Sequence, residues 1–260
     1  MEQLIYTLLA YINNSLNKDI NYYLAKSLLE QIYSIESFSL ESIAEACNVA
    51  PSTINRFCKR IGFKNFSNLR NSVSVPMGAS LHEDTGSELS TQMFFKQLNE
   101  NIEMIDNIPM SQIDQIAKQI KQSRRIVILG FEKNQIQAME LQKKLFLLGK
   151  LCECDTNLFK QIDSLSDLTD EDMIITISIQ GNILSKHFPI IEKIKTAKGK
   201  KLLITFSSEL GNMNIFHEIL QCGRIENSSV SSYTLLRLFD VLINRYRVFW
   251  KSNYDLTGLK

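Results

Sequence analysis

Apolar positions recur along this chain in two different rhythms. Through about residue 73 the rhythm is helical only. Leu4, Ile5, Leu8, Leu9 and Ile12 recur at three- and four-residue steps and predict a helix over 2–13. A second helix is expected after Asp19, with Ile20, Tyr23, Leu24, Leu28 and Ile32 on one face. A compact helical block follows from Ser39 to Arg70. The stretch 73–86 is small, polar and interrupted by Pro76 and Gly78, which reads as a linker. Beyond it, helices predicted over 88–105 and 111–122 lead into short apolar runs that alternate with longer helical ones. The runs are Ile126–Leu129, Leu151–Cys154, Met173–Ser178, Leu202–Phe206 and, more weakly, Ile219–Cys222. Helices are expected over 135–148, stopping at Gly149, over 185–197, and over 229–250. Near-continuous apolar strands separated by helices predict a parallel sheet covered on both faces. The expected organisation is an α domain over 1–73, a linker over 74–86 and an α/β domain over 87–260.

Composition narrows the function classes. Among 260 residues, 44% are hydrophobic and 22% charged, enough for a real core and too apolar for a disordered chain. Lysine plus arginine is 29 against 28 acidic residues, so any nucleic-acid surface must be a local patch. Five scattered cysteines do not suggest a disulfide framework. Cys152 and Cys154 lack the partners of a zinc site and read as buried thiols. No metal or cofactor is expected. No run approaches the roughly 18 apolar residues of a membrane span, and the opening residues lack a basic leader. No membrane partner and a cytoplasmic home are the expectations.

The block Ser39–Phe57 has the shape of a helix-turn-helix. Ser39 can cap its first helix, with Ser42 where a capping box wants Glu or Gln. Asn48 sits where the turn needs a left-handed residue. Pro51 is pre-set for the first turn of the second helix. The outward residues of that helix and the turn after it are Ser52, Thr53, Asn55, Arg56, Lys59, Arg60 and Lys64. In such a motif the start of the second helix meets base edges and the lysines and arginines meet phosphates, with Arg70 a further phosphate candidate. Five basic against two acidic residues over 39–70 give a local charge of +3. The competing reading of the block alone is a helical hairpin with a solvated basic face.

The run Arg56-Phe57-Cys58-Lys59-Arg60-Ile61-Gly62-Phe63-Lys64-Asn65-Phe66-Ser67-Asn68-Leu69 resembles the DNA-binding domain of the RpiR/MurR family of bacterial regulators. That family's pattern is R-F-C-K-x-L-G-F-x-G-F-x-x-[FL]. Here Ile61 stands for its leucine, Asn65 for its second glycine, and Ala50 for its usual serine cap. Asn65 is expected to keep the tolerance of positive φ that glycine has.

The resemblance extends in outline over 110–250 to the family's SIS domain, a sugar-isomerase-type α/β fold that binds phosphosugars. It implies a double-stranded DNA operator, a sugar phosphate effector and control of sugar-metabolism genes. By position, the effector contacts would be Ser178, Gln180, Gly181, Asn182, Thr205, Ser207 and Ser208. The phosphate loops depart from the family's, with Glu132 and Asn134 after the first strand and Gln180 and Ile183 after the central one. Two readings stay open: a pocket for a different effector, or a dimerisation scaffold with none.

The wide apolar arc of the last helix, from Tyr233 to Trp250, needs covering on two sides and predicts a homodimer through the C-terminal domain; the competing reading is a core helix fully covered within one chain. An isomerase with a helical appendage is the alternative, with His187, His217 and Glu209 as acid/base candidates. None falls on a recognisable catalytic pattern, so no catalysis is expected.

Overall fold

The computed structural model describes residues 2–73, 91–130, 134–179, 189–207, 213–224 and 228–254. The expected linker therefore lies outside the described residues. The chain divides into two compact units, one of residues 1–85 with 156–161, the other of 86–155 with 162–260.

The first unit holds five helices: α1 (Glu2–Asn14), α2 (Ile20–Glu30), α3 (Leu40–Ala46), α4 (Pro51–Arg60) and α5 (Phe66–Val73). Asp19 starts α2 by accepting the N–H groups of Asn21 and Tyr22, each at 3.0 Å. The Tyr22 bond, with the Asn21 side chain, holds its carboxyl below the usual range. The buried stripe of α2 is Leu24, Ala25, Leu28 and Ile32, while Ile20 and Tyr23 are exposed. The stripe is thus rotated away from the expected Tyr23; the small Ala25 takes the inner position and lets α2 lie against α1. Around these residues Leu4, Leu8, Ile43, Ile54, Phe57, Phe66 and Leu69 form one core. Tyr11 meets Phe57 edge-on at 5.4 Å.

The second unit carries α6 (Thr91–Asp106), α7 (Met110–Gln122), β1 (Ile126–Gly130), α8 (Asn134–Phe146), β2 (Met173–Ile177), α10 (Pro189–Thr196), β3 (Lys200–Thr205), β4 (Glu218–Gln221) and α11 (Ser228–Tyr254). A short α9 (Leu158–Asp163) precedes β2, where the apolar pattern predicts no helix. The four strands are parallel in the order β1-β2-β3-β4. The expected strand at 151–154 shrinks to a single parallel bridge, Glu153 against Val127 on the free edge of β1. Glu153 still accepts from the Ile128 N–H and donates to the Ile126 carbonyl, each at 2.8 Å.

Both faces of the sheet are buried, as continuous apolar strands require. Ile126, Ile128, Met173, Ile175, Ile177, Leu202 and Ile204 share one core with α7, α8 and α11. Val127, Leu129, Ile174 and Leu203 alternate with them and are equally buried. Gly149, at φ 78°, ends α8 in a left-handed turn: the Lys150 N–H returns to the Leu145 carbonyl at 3.0 Å.

The breadth of the apolar arc on α11 has an internal cause. The helix packs against α6, α7 and α8 of its own chain, which cover Leu235, Leu238, Phe239, Leu242, Ile243 and Tyr246. Its rim is clamped by ion pairs, Arg237 to Asp106, Arg245 to Asp114 and Lys144 to Asp240. These neighbours bury the inner part of the arc, while Tyr233, Leu236 and Val248 stay exposed. Among the described residues no helix is long and apolar enough to cross a membrane, and no cluster could hold a metal ion.

Candidate nucleic-acid interface and ligand edge

The turn between α3 and α4 is built as the residue types demand. The Ser39 hydroxyl accepts the Ser42 N–H at 3.0 Å, and the Ser42 hydroxyl accepts the Ser39 N–H at 2.8 Å. A serine therefore closes the capping box where Glu or Gln is the usual partner. Asn48 adopts φ 54°, the one positive φ outside glycine among the described residues. Behind it the Asn48 and Val49 N–H groups return to the Glu45 and Ala44 carbonyls, each at 2.9 Å. This left-handed close ends α3 and points the chain into α4. Pro51 is the first helical residue, and Ala50 offers no side-chain cap.

On α4, Ile54, Phe57 and Cys58 face inward; burial pushes the Cys58 thiol up to about 12, so it is an inert core residue. Ser52, Arg56, Lys59 and Arg60 are exposed, as is Lys64 in the following turn, and Thr53 is half-buried. None of these four cations is ion-paired among the described residues. The result is an unneutralised basic row beside short hydroxyl side chains at the start of a helix. That row can take phosphates along its length and base edges at its tip.

Two residues serve the fold as well. Asn55 is half-buried, and its carboxamide oxygen accepts the Phe66 N–H at 2.9 Å, at the first turn of α5. Asn65 accepts the Asn68 N–H at 2.8 Å and caps the same helix. The residue standing for the family glycine is thus a helix cap, not a positive-φ position, which corrects the expectation. Arg70 donates to the Phe38 carbonyl at 2.9 Å and is half-buried, so it ties α5 to the turn before α3. A carboxamide that reads adenine uses its oxygen and its NH2 together. The Asn55 oxygen already holds α5, a duty that spacing along α4 could not reveal.

In the second unit, register lines up the carboxyl ends of the strands. Gly130 pairs with Ile177, and Ile177 with Ile204, so Gly130, Ser178 and Thr205 end three neighbouring strands together. From β1 the chain goes first to the bridge at Glu153 on one side and then to β2 on the other. Parallel α/β sheets bind ligands at the carboxyl edge beside such a reversal. Gly130 is required there: a Cβ would meet the Asn134 carbonyl oxygen at 2.5 Å and the Ala138 Cβ at 2.7 Å.

Of the expected effector contacts, Ser178, Thr205 and Ser207 are described and buried. The Thr205 hydroxyl donates to the Ile179 carbonyl at 3.3 Å and accepts the Ser207 N–H at 3.2 Å. It shapes the turn after β3 from within. Gln180, Gly181, Asn182 and Ser208, like His187 and Glu209, lie outside the described residues. His217 lies just before β4, and its Nδ1 accepts the Lys201 N–H at 3.1 Å. That is the amino edge of the sheet, about three residues and so roughly 10 Å along the strands from the ends of β1 and β2.

Residues 7–78 match the helix-turn-helix domain of the rpiR family. The N-terminal unit is thus similar to that family's domain. An uncharacterized HTH-type transcriptional regulator of Providencia stuartii is 25% identical over 171 residues, 61% of this chain and 60% of the relative. The chain thus spans about three fifths of that relative's length. The Vibrio vulnificus NanR protein, solved in complex with ManNAc-6P, superposes with a TM-score of 0.53 at 19% identity. That match covers 96% of this chain and 97% of NanR. A sugar-phosphate isomerase fold from Listeria monocytogenes gives 0.50 at 15% identity, over 63% of this chain and 93% of that one. The likeness to these structures shows the α/β fold of the second unit.

Proposed function

We propose that this protein is a dimeric, cytoplasmic DNA-binding transcriptional regulator of sugar-metabolism genes, with an SIS-type domain that responds to a sugar phosphate. The observation that carries the reading is the unpaired basic row of α4 beyond a correctly formed Asn48 turn. Ser52, Thr53 and Arg56 meet base edges, and Lys59, Arg60 and Lys64 meet phosphates. Asn55 holds α5 in place behind them. A net charge of +1 gives little long-range attraction to DNA, so two readers on a near-palindromic operator supply the affinity. The reversal of strand order at the carboxyl edge of the sheet supports a small anionic ligand there. The distance of His217 from that edge favours sensing over isomerisation.

The test is selection of duplexes from a random library by the full-length protein, followed by binding titrations in salt. Sequence-selective binding is expected, with Arg56→Ala costing about 1–3 kcal/mol and relaxing selectivity at one position. Lys59→Ala or Lys64→Ala should each reduce the salt slope by about 1 without changing the sequence chosen. No enrichment, or enrichment untouched by Arg56→Ala, would reject the reading of α4. For the second domain, a thermal-shift screen against hexose, pentose and amino-sugar phosphates should find one class that stabilises. At 100 times its dissociation constant such a ligand contributes about 2.7 kcal/mol. Silence across the panel would leave the α/β domain as a scaffold.

A further inference from the structure

The face of α8 turned away from the core is apolar at both ends and charged in the middle. Opposite the buried Ala138, Leu141 and Leu145 stand Ile136, Met139, Phe146 and Leu147, which are 58%, 46%, 60% and 72% exposed. Glu140 and Lys143 lie between them on the same side and form an ion pair within the helix. At 100° per residue these six fall within an arc of about 120°. Leu147 continues the helical path through its N–H to the Lys143 carbonyl at 3.0 Å. Ile136, Met139, Glu140, Lys143 and Phe146 line a groove of about 580 Å³ with Leu151. Large exposed apolar side chains gathered on one face mark a protein contact.

Its order says which protein. From one end the face reads apolar pair, acid, base, apolar pair. Reversing the helix about the midpoint between Glu140 and Lys143 lays Glu140 against a second Lys143. The same reversal lays Ile136 against a second Leu147, and sets Met139 and Phe146 opposite a second Lys144 and a second Gln137. A surface that complements its own reversed copy in both charge and shape is what a two-fold interface requires. We infer that α8 is the homodimer seam, packed antiparallel against α8 of a second copy of this chain. The apolar ends bury each other, and Glu140 meets the partner's Lys143 on both sides of the axis. This inference rests on the dimeric reading above and places its seam on α8.

The experiment uses the full-length protein and sedimentation velocity over a dilution series. Wild type is expected to be a dimer. Glu140→Lys and Lys143→Glu each place like charges on both sides of the axis, and each should weaken the dimer by about tenfold or more. Mixed in equal amounts, the two variants should form heterodimers in preference to either homodimer, because each supplies the charge the other lacks. Like-charge repulsion inside one helix cannot be relieved by mixing, so preferential heterodimers would separate a seam from a folding defect. Phe146→Asp, at an exposed position, should yield a monomer with an unchanged circular dichroism spectrum. A wild-type dimer indifferent to all three substitutions, or no preference on mixing, would overturn the seam and leave the dimeric reading standing. A wild type that stays monomeric at every concentration would overturn both.

Discussion

Replacing Asn55 separates its place in the fold from any contact with DNA. The half-buried side chain reaches across eleven residues to the Phe66 N–H, and α5 has that bond and the Asn65 cap at its first turn. Asn55→Ala leaves the Phe66 donor without this partner. Losing such a cap and stranding a partly buried N–H costs about 1–2 kcal/mol. In a domain of this size that lowers the melting temperature by about 4–8 °C for each kcal/mol. Local opening at the start of α5 should rise by roughly 5–30-fold, which amide hydrogen exchange at Phe66 reads directly. Asn55→Asp keeps an oxygen in place and sets a negative charge at a helix N-terminus, where it is favourable. It should therefore hold wild-type protection at Phe66 while weakening DNA binding by placing a carboxylate near phosphates. If Asn55→Ala leaves Phe66 exchange and unfolding unchanged and only DNA binding falls, the structural role is refuted and Asn55 is a reader alone.

Other substitutions probe the same design elsewhere. Ala50 has extended backbone at the start of α4 and no side-chain cap, so Ala50→Ser should stabilise by about 0.5–1 kcal/mol in denaturant unfolding. Gly130→Ala must push α8 off β1 and should cost about 1–3 kcal/mol, seen as a lower melting temperature of the α/β domain. Asp172 is buried where desolvation alone would raise its pKa. The two bonds from Arg124 and those from the Thr169 N–H and hydroxyl outweigh that and hold it below the ordinary value. Its contribution is complete above the unfolded-state pKa and is lost as pH falls through the lower folded value. Wild type should lose stability more steeply below about pH 4 than Asp172→Asn, which unfolding at a series of pH values will show.

Local chemistry is legible in the residue types themselves. Asn48, Pro51 and Gly149 each have a backbone preference that spacing alone places at a turn, a first helical residue and a stop. The inner strands announce themselves because burial on both faces makes Ile126–Leu129, Met173–Ile175 and Leu202–Ile204 continuously apolar. What the sequence hides is long-range. Asn55 lies on the outward arc of α4, and only the fold of α5 onto it reveals a cap. Arg70 looks like a phosphate ligand until Phe38 is beside it. Ala25 outranks Ile20 in the core because the gap between α1 and α2 favours a small residue. The arc on α11 is apolar as its pattern says, but its neighbours are α6, α7 and α8 of the same chain. Periodicity states how much surface is covered and not by whom. On α8 two apolar stripes, one buried and one exposed, blur a single helical period.

The ion pairs that clamp α11 have a consequence for the order in which the protein is made. Arg237 to Asp106 and Arg245 to Asp114 each join residues 131 apart in the chain. At about 5–20 residues per second, a ribosome needs roughly 7–26 s to make that interval. Until it does, α6 and α7 have no α11 to pack against, and one core of the α/β domain stays open to water. The helices of the reader, α1 to α5, are complete long before. Each new molecule thus spends its first seconds with the N-terminal helices made and the α/β body unfinished. Under the proposed function, a premature stop before α11 would leave a fragment that keeps the basic row of α4 and lacks the domain that responds to a ligand.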